Sequence, residues 1–213
     1  AYGTKQGARR FYDYNKKVLL HLGLTLCPNE PCLFRYLHQG SVCYLLQYVD
    51  DALIAGDSTA IAHLQQKMKQ HFHCKFEQPK DFLGLDLTHK QQGELTLSMT
   101  SFTTKMKDVL QFSDTYFGDI LTPGRTDKKV NRTDPHEPNE QYRSHVGTLN
   151  WLTMGLRYDL AFVTKELSRV LDKPTQIANE ISHRALVYAH RTKDAHLRFS
   201  YTLMTNYAPP KTR

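Results

Sequence analysis

The amino-acid sequence predicts an α+β fold, with strands and helices mixed in the first half and helices dominating the second. Three patterns carry this. Val42-Cys43-Tyr44-Leu45-Leu46-Gln47 and Ala52-Leu53-Ile54-Ala55-Gly56 are short, apolar, β-prone runs on either side of Tyr48-Val49-Asp50-Asp51, a pattern that reads as a hairpin with two acids at its tip. A second pair of strands is expected where Gln92-Gly93 separates Phe82-Leu83-Gly84-Leu85-Asp86-Leu87 from Leu95-Thr96-Leu97-Ser98-Met99. Beyond residue 140, Leu149, Leu152 and Leu156, and then Leu160, Val163, Leu167 and Val170, recur at helical spacing.

The elements follow in order. Phe11, Tyr14, Val18 and Leu22 form a helical stripe between Gly7 and Gly23, with Gly23 as the stop. The strand pair occupies about Leu33 to Gly56. Asp57-Ser58 then caps a helix whose apolar face is Ile61, Leu64, Met68 and Phe72, with Lys67 and Lys69 read as solvated flanks. Thr100 or Ser101 starts a further helix running through Lys105 and Lys107 to Leu110. Thr122 to Glu140 holds three prolines and many charges and reads as a linker. A last helix is expected from Gln176 to about Lys193, and a strand at Leu197-Arg198-Phe199-Ser200-Tyr201.

At 213 residues, 40% apolar and 23% charged, the chain has the composition of a globular protein with a core of its own. No apolar run reaches the ~20 residues a membrane span needs. The start lacks an apolar signal-peptide segment and an initiator Met, and reads as part of a longer chain. The net charge of +7 is uneven: 11 Lys and Arg stand against 9 Asp and Glu in residues 1–99, and 17 against 12 in the rest. A basic second half suits a polyanion such as nucleic acid. The spacing of Cys27, Cys32, Cys43 and Cys74 matches no zinc pattern and no disulfide framework, which fits a reducing compartment. His71-Phe72-His73-Cys74 reads as packing rather than as a metal site. A Gly-rich phosphate loop and a nucleophile elbow are both missing, which argues against P-loop enzymes and Ser hydrolases.

Asp50-Asp51 carries the chemistry. Adjacent carboxylates suit a tight turn for purely conformational reasons. Paired acids without a counter-charge also invite a cation. Hard oxygen ligands favour Mg²⁺, and two such ions can clamp both oxygens of an in-line phosphoryl displacement.

Several segments together resemble one family, the reverse transcriptase of copia-type LTR retrotransposons. Tyr2-Gly3-Thr4-Lys5-Gln6-Gly7-Ala8-Arg9 resembles its Tyr-Gly-Leu-Lys-Gln box, Tyr48-Val49-Asp50-Asp51 its catalytic box, and Phe82-Leu83-Gly84 the strand that follows. Tyr142-Arg143-Ser144 with Gly147-Thr148-Leu149, Leu156-Arg157-Tyr158-Asp159-Leu160-Ala161 and Leu167-Ser168-Arg169 continue the match in the same order, to about residue 200.

The resemblance implies a partial polymerase palm over residues 1–99, a thumb start over 100–121, a linker over 122–140, and a helical thumb and connection region over 141–213, ahead of an RNase H domain outside this chain. It implies nucleotidyl transfer from dNTPs to a primer 3′-hydroxyl on an RNA or DNA template, with two Mg²⁺ ions, or Mn²⁺ in their place. Asp50 and Asp51 would be the catalytic metal ligands, Asp50 the stronger. Tyr48 would lie near the primer–template end, Gln6 would contact nucleotide or template, Lys5 and Arg9 would touch phosphate, and Leu83 and Gly84 would position the primer. Family habit places such a protein in cytoplasmic virus-like particles, with nuclear delivery of product and no membrane.

The sequence also departs from the family. Thr4 stands where Leu is usual and Tyr158 where Pro is usual. The third carboxylate of the family's metal site comes from an upstream strand, and before Asp50 this chain offers only Asp13 and Glu30, neither of which follows an apolar strand. The fingers are missing too. The expectation is therefore that these 213 residues alone are inactive. The alternative is a non-catalytic remnant that binds nucleic acid or protein, motivated by the basic stretch of Arg125, Lys128, Lys129 and Arg132.

Overall fold

Cys43, Leu45 and Gln47 alternate with Tyr44 and Tyr48 along one strand, and this period of two puts the first three on a buried face and the tyrosines outside. That strand is the centre of the first of two compact units, Ala1–Pro79 and Lys80–Arg213. The computed structural model describes residues 6–90, 93–112, 119–125 and 127–200. The architecture is α+β, as predicted, with two antiparallel four-stranded sheets and a mostly helical C-terminal part.

In the first unit, helix α1 (Gly7–His21) leads to strands β1 (Thr25–Cys27), β2 (Glu30–His38), β3 (Ser41–Tyr48) and β4 (Asp51–Gly56), and then to helix α2 (Ser58–Lys69). The strands pair antiparallel in sequence order, which leaves β4 at an edge. The strand pair expected over Leu33 to Gly56 holds three strands, since most of β2 falls within it, and β1 lies ahead of it. β1 and β2 add two strands, with a bulge between Leu26 and Cys27. The core joins Leu19, Leu22 and Leu24 to Phe34, Tyr36, Cys43 and Leu45 of the sheet and to Ala60, Leu64 and Met68 of α2.

Three local expectations change. In α1 the buried stripe is Leu19 and Leu22, while Tyr14 is exposed. Asp57 sits at the α2 N-cap without a side-chain cap bond, and its Oδ2 instead accepts the Val42 backbone N–H at 2.7 Å, tying the helix start to β3. Lys67 is not simply solvated. Its ammonium donates to the Leu22 carbonyl at 2.8 Å and lies 5.7 Å from the Tyr36 ring centroid.

The second unit holds β5 (Asp81–Phe82), β6 (Leu85–Lys90), β7 (Glu94–Ser98), α3 (Thr100–Leu110), α4 (Tyr142–Gly155), a 3₁₀ turn (Tyr158–Leu160), α5 (Ala161–Ser168), α6 (Gln176–Arg191) and β8 (His196–Phe199). The strands pair antiparallel in the order β5-β6-β7-β8. Gln92 of the expected turn and Tyr201 of the expected last strand lie outside the described residues. The helices enclose a core of Tyr142, Leu149, Leu152, Leu160, Leu167 and Leu186, all fully buried, which bears out both leucine stripes apart from the half-buried Leu156. The stretch read as a linker carries Val130 into this core. It is fastened to α6 by the Glu137 N–H to Pro174 carbonyl bond (3.0 Å) and the Gln176 N–H to Pro135 carbonyl bond (3.2 Å).

The strand expected over Phe82–Leu87 is broken. Leu83 and Gly84 have φ of 53° and 80° and form the two-residue turn between β5 and β6. Two successive positive φ values match the twist that tight hairpins demand. Weak apolar alternation simply continued through the turn and hid it. A Cβ at Gly84 would fall 2.9 Å from Cζ2 of Trp151. Gly84→Ala therefore meets both a strained φ and a ring in the way, and should cost about 1–2 kcal/mol. Trp151 is the chain's single tryptophan, so equilibrium unfolding followed by its fluorescence reads the site directly. An unchanged midpoint with an unchanged emission maximum would contradict this.

His145 is buried in the same core, with Nδ1 3.5 Å from Ser182 Oγ and Nε2 without a partner among the described residues. Burial, with a smaller push from His183, holds its pKa below the ordinary histidine value. A depressed histidine favours the neutral form in the folded state. Its contribution is complete above the unfolded value near pH 6.5 and is lost as pH falls below it. Thermal unfolding at pH 5 should therefore start lower than at pH 7.5, and His145→Gln should flatten that part of the profile. Asp127, held at about 2 by the Arg125 hydrogen bond, acts in a separate window below pH 4.

Candidate active site

The β3–β4 hairpin places the acids. Tyr48 pairs with Asp51 across the ladder, so Val49 and Asp50 are the two turn residues. Val49 has a φ of 51°. A β-branched side chain in the left-handed region is strained, and such strain persists only where the surroundings impose it. Beneath the turn, the Gln47 amide donates from Nε2 to the Val49 carbonyl at 3.2 Å.

Asp50 and Asp51 are both exposed, and neither has an ion-pair or hydrogen-bond partner among the described residues. They stand on the rim of a cavity of about 680 Å³ lined also by Asn15 of α1, Gln47 of β3, Leu53 of β4, Met68 of α2 and Phe76. Asn15 Oδ1 and Gln47 Oε1 are buried there without partners among the described residues. The segment containing His73 and Cys74 forms one wall of this cavity, with Phe72, Cys74 and Phe76 packed on the core.

Among the described residues no three His, Cys, Asp or Glu side chains come together as a metal site. Asp13 lies on the exposed face of α1, 3.6 Å from Arg9, and Glu30 accepts the Cys32 backbone N–H. Two unpaired carboxylates on one turn nonetheless fit Mg²⁺, which keeps several waters and binds through one or two carboxylates together with substrate phosphates.

The other site residues named from the sequence divide between the units. Tyr48 is exposed and lies beside Asp51. Gln6 is the exposed residue at the α1 N-cap, and Arg9 one turn on is engaged with Asp13. Lys5 lies outside the described residues. Leu83 and Gly84 belong to the second unit. Sequence reasoning missed Gln47 and Asn15. Gln47 left a usable signal, a polar residue at an inward position two after Leu45.

Comparison with known proteins identifies the fold's lineage. Residues 1–123 match the family model described as reverse transcriptase (RNA-dependent DNA polymerase). Over 199 residues the chain is 32% identical to the retrovirus-related Pol polyprotein from transposon RE2 of Arabidopsis thaliana, covering 91% of this chain and 13% of that one. It is 29% identical over 203 residues to the putative transposon Ty5-1 protein of Saccharomyces cerevisiae, covering 93% of this chain and 65% of that one. To the retrovirus-related Pol polyprotein from transposon TNT 1-94 of Nicotiana tabacum it is 27% identical over 187 residues, which cover 81% of this chain and 14% of that one. The chain thus corresponds to a small part of each Pol polyprotein. No solved structure matches it. With the family model covering more than half of the residues, and the acid-bearing hairpin inside it, the chain belongs to the reverse transcriptase (RNA-dependent DNA polymerase) family, in the form related to copia-type retrotransposon Pol polyproteins.

Proposed function

We propose that these residues supply the Asp50–Asp51 part of an RNA-directed DNA polymerase that extends a primer from dNTPs on an RNA or DNA template, as part of a Pol polyprotein. The observation that carries the reading is the strained turn that holds, at a cavity rim, two carboxylates without a partner among the described residues. Their role is to hold divalent cations, two Mg²⁺ or Mn²⁺ ions, which when bound favour the ionised primer hydroxyl and neutralise charge developing on the phosphate. The chain's own contribution is placement. β3 and β4 hold Asp51 in the ladder and carry Asp50 on the turn between them. Tyr48 offers an exposed ring beside them for a sugar or base of the primer end, and Gln6, Lys5 and Arg9 would supply polar and cationic groups to nucleotide or template. In the second unit, the Leu83–Gly84 turn would bear on the primer. Residues 1–99 would then form part of a palm, 100–121 the thumb start, 122–140 a connecting stretch and 141–213 the thumb and connection.

Two carboxylates are one short of the family's set. Polymerisation would therefore need a third acid, and the fingers, from elsewhere in the polyprotein. The position of β4 at the sheet edge among the described residues and the cavity beside it are consistent with such an addition. The test is primer extension on an RNA template with Mg²⁺ or Mn²⁺, comparing the 213 residues with a version extended upstream. Extension only by the longer protein supports the reading. Extension by neither, with both folded, refutes the polymerase assignment.

The remnant alternative loses part of its motive. Arg125 pairs with Asp127 (2.6 Å), Lys128 with Glu180 (2.7 Å), and Arg132 donates to the Arg169 carbonyl (2.8 Å), so three of the four cations are engaged within the chain.

A further inference from the structure

Gln47 is out of place chemically. It continues the inward row of Cys43 and Leu45, is only 5% exposed, and leaves its Oε1 buried without a partner among the described residues. A leucine there would avoid the orphaned acceptor. Among the described residues, the one bond the amide makes runs from Nε2 to the Val49 carbonyl. That carbonyl belongs to the peptide joining Val49 to Asp50, and Val49 is the residue held at a φ of 51°. A donor placed under the Val49 carbonyl fixes the plane of that peptide, and with it the direction in which the Asp50 side chain leaves the backbone. Asp51, paired through Tyr48, is already held by the ladder. Asp50 is not.

We propose that Gln47 is a positioning residue for Asp50, acting through the Val49 carbonyl to keep the strained turn in the conformation that presents both carboxylates to a divalent cation. The inference rests on the reading of Asp50 and Asp51 as metal ligands. Burying an unsatisfied Oε1 is then the cost of having a donor under the turn.

The test uses the full chain, with Gln47→Leu and Gln47→Glu, and two readouts. The first is amide hydrogen exchange at Asp50 and Asp51 without metal. The second is broadening of the same amide signals by added Mn²⁺, with Asp50→Asn as the control. Loss of one hydrogen bond to the turn should speed exchange by roughly tenfold, and the Mn²⁺ needed for half-broadening should rise by a similar factor. In Gln47→Leu the melting temperature should hold or rise, because an apolar side chain replaces the unsatisfied amide. A purely structural residue would not separate stability from metal affinity in this way. Gln47→Glu supplies a signature of its own. At pH 8 its carboxylate cannot donate to the Val49 carbonyl, and exchange is fast. As pH falls through the raised pKa of this buried acid it protonates and donates its O–H to that carbonyl, and protection, taken relative to the native chain at the same pH so that the intrinsic pH dependence of exchange cancels, returns.

Unchanged exchange in Gln47→Leu, or no pH-dependent recovery in Gln47→Glu, overturns the proposal. If the native chain shows no Asp50-dependent broadening, the metal-ligand reading fails. Exchange needs no metal and still decides whether Gln47 holds the turn.

Discussion

Replacing Asp50 by Asn, in a protein that carries the segment upstream of these 213 residues, will reduce metal-dependent primer extension by at least about 100-fold, the scale on which single electrostatic groups at a reacting centre count. The substitution removes one negative charge and an anionic oxygen ligand while keeping size and shape. Asn tolerates turn conformations as well as Asp does, so the hairpin should form unchanged. Asp50 has no partner among the described residues that its replacement could orphan. The melting temperature should therefore stay within a degree or two of the native protein's. Asp51→Asn should follow the same direction with a smaller loss, because Asp51 lies in the regular ladder opposite Tyr48. Extension retained in Asp50→Asn would remove this turn from the chemistry.

Arg157→Met will lower the stability of the helical unit by about 3 kcal/mol, with a fall in Tm of roughly 6–12 °C. The Arg157 side chain is 4% exposed. Its Nε and Nη2 donate to the Asp159 carboxylate at 3.0 and 2.7 Å. Nη1 donates to the carbonyls of Ala189 and Thr192, both at 3.2 Å, and Nη2 to Thr192 Oγ1 at 2.7 Å. The guanidinium also lies 5.5 Å from the Tyr188 ring centroid. The last carbonyls of a helix have no partner within it, and the C-terminal end of a helix favours a cation. Arg157 meets both needs for α6 from the turn between α4 and α5. Met keeps much of the volume and removes every donor. Arg157→Lys should recover only part of the loss, since one ammonium cannot reproduce the planar fork. Burial pushes the Asp159 carboxyl up, but the hydrogen bonds and charge of Arg157 more than offset this and hold it below the usual carboxylate range. In Arg157→Met an NMR titration should find Asp159 shifted upward. A Tm change under 2 °C would show that α6 is anchored by its apolar face alone.

Much of the fold was legible because its signals are local. The stop of α1 near Gly23, the α2 span after Asp57, and the buried positions Leu160, Val163, Leu167 and Val170 all follow from spacing along a few turns. The turn at Leu83–Gly84 was not legible, because apolar alternation persisted on both sides and a positive φ at leucine leaves no trace in composition. Residues read as linker or solvated flank proved to be fastened. Val130, Lys67 and Lys128 each find their partner far along the chain, and a charge written between polar neighbours looks the same whether it meets water or a distant carbonyl or carboxylate.

The same division runs through the candidate site. By itself the sequence determined the α+β class, the two acids at a hairpin tip and the kinship with reverse transcriptases, because apolar period and motif order are properties of neighbours in the chain. Only the tertiary structure decided that Val49 is strained, that Gln47 lies under its carbonyl, that the cavity floor joins α1 to the 72–79 segment, and that Arg157 closes α6. Strain at a turn and the partner of a buried donor depend on which strand and which helix face each other, and that is set by packing of the whole unit rather than by any window of sequence.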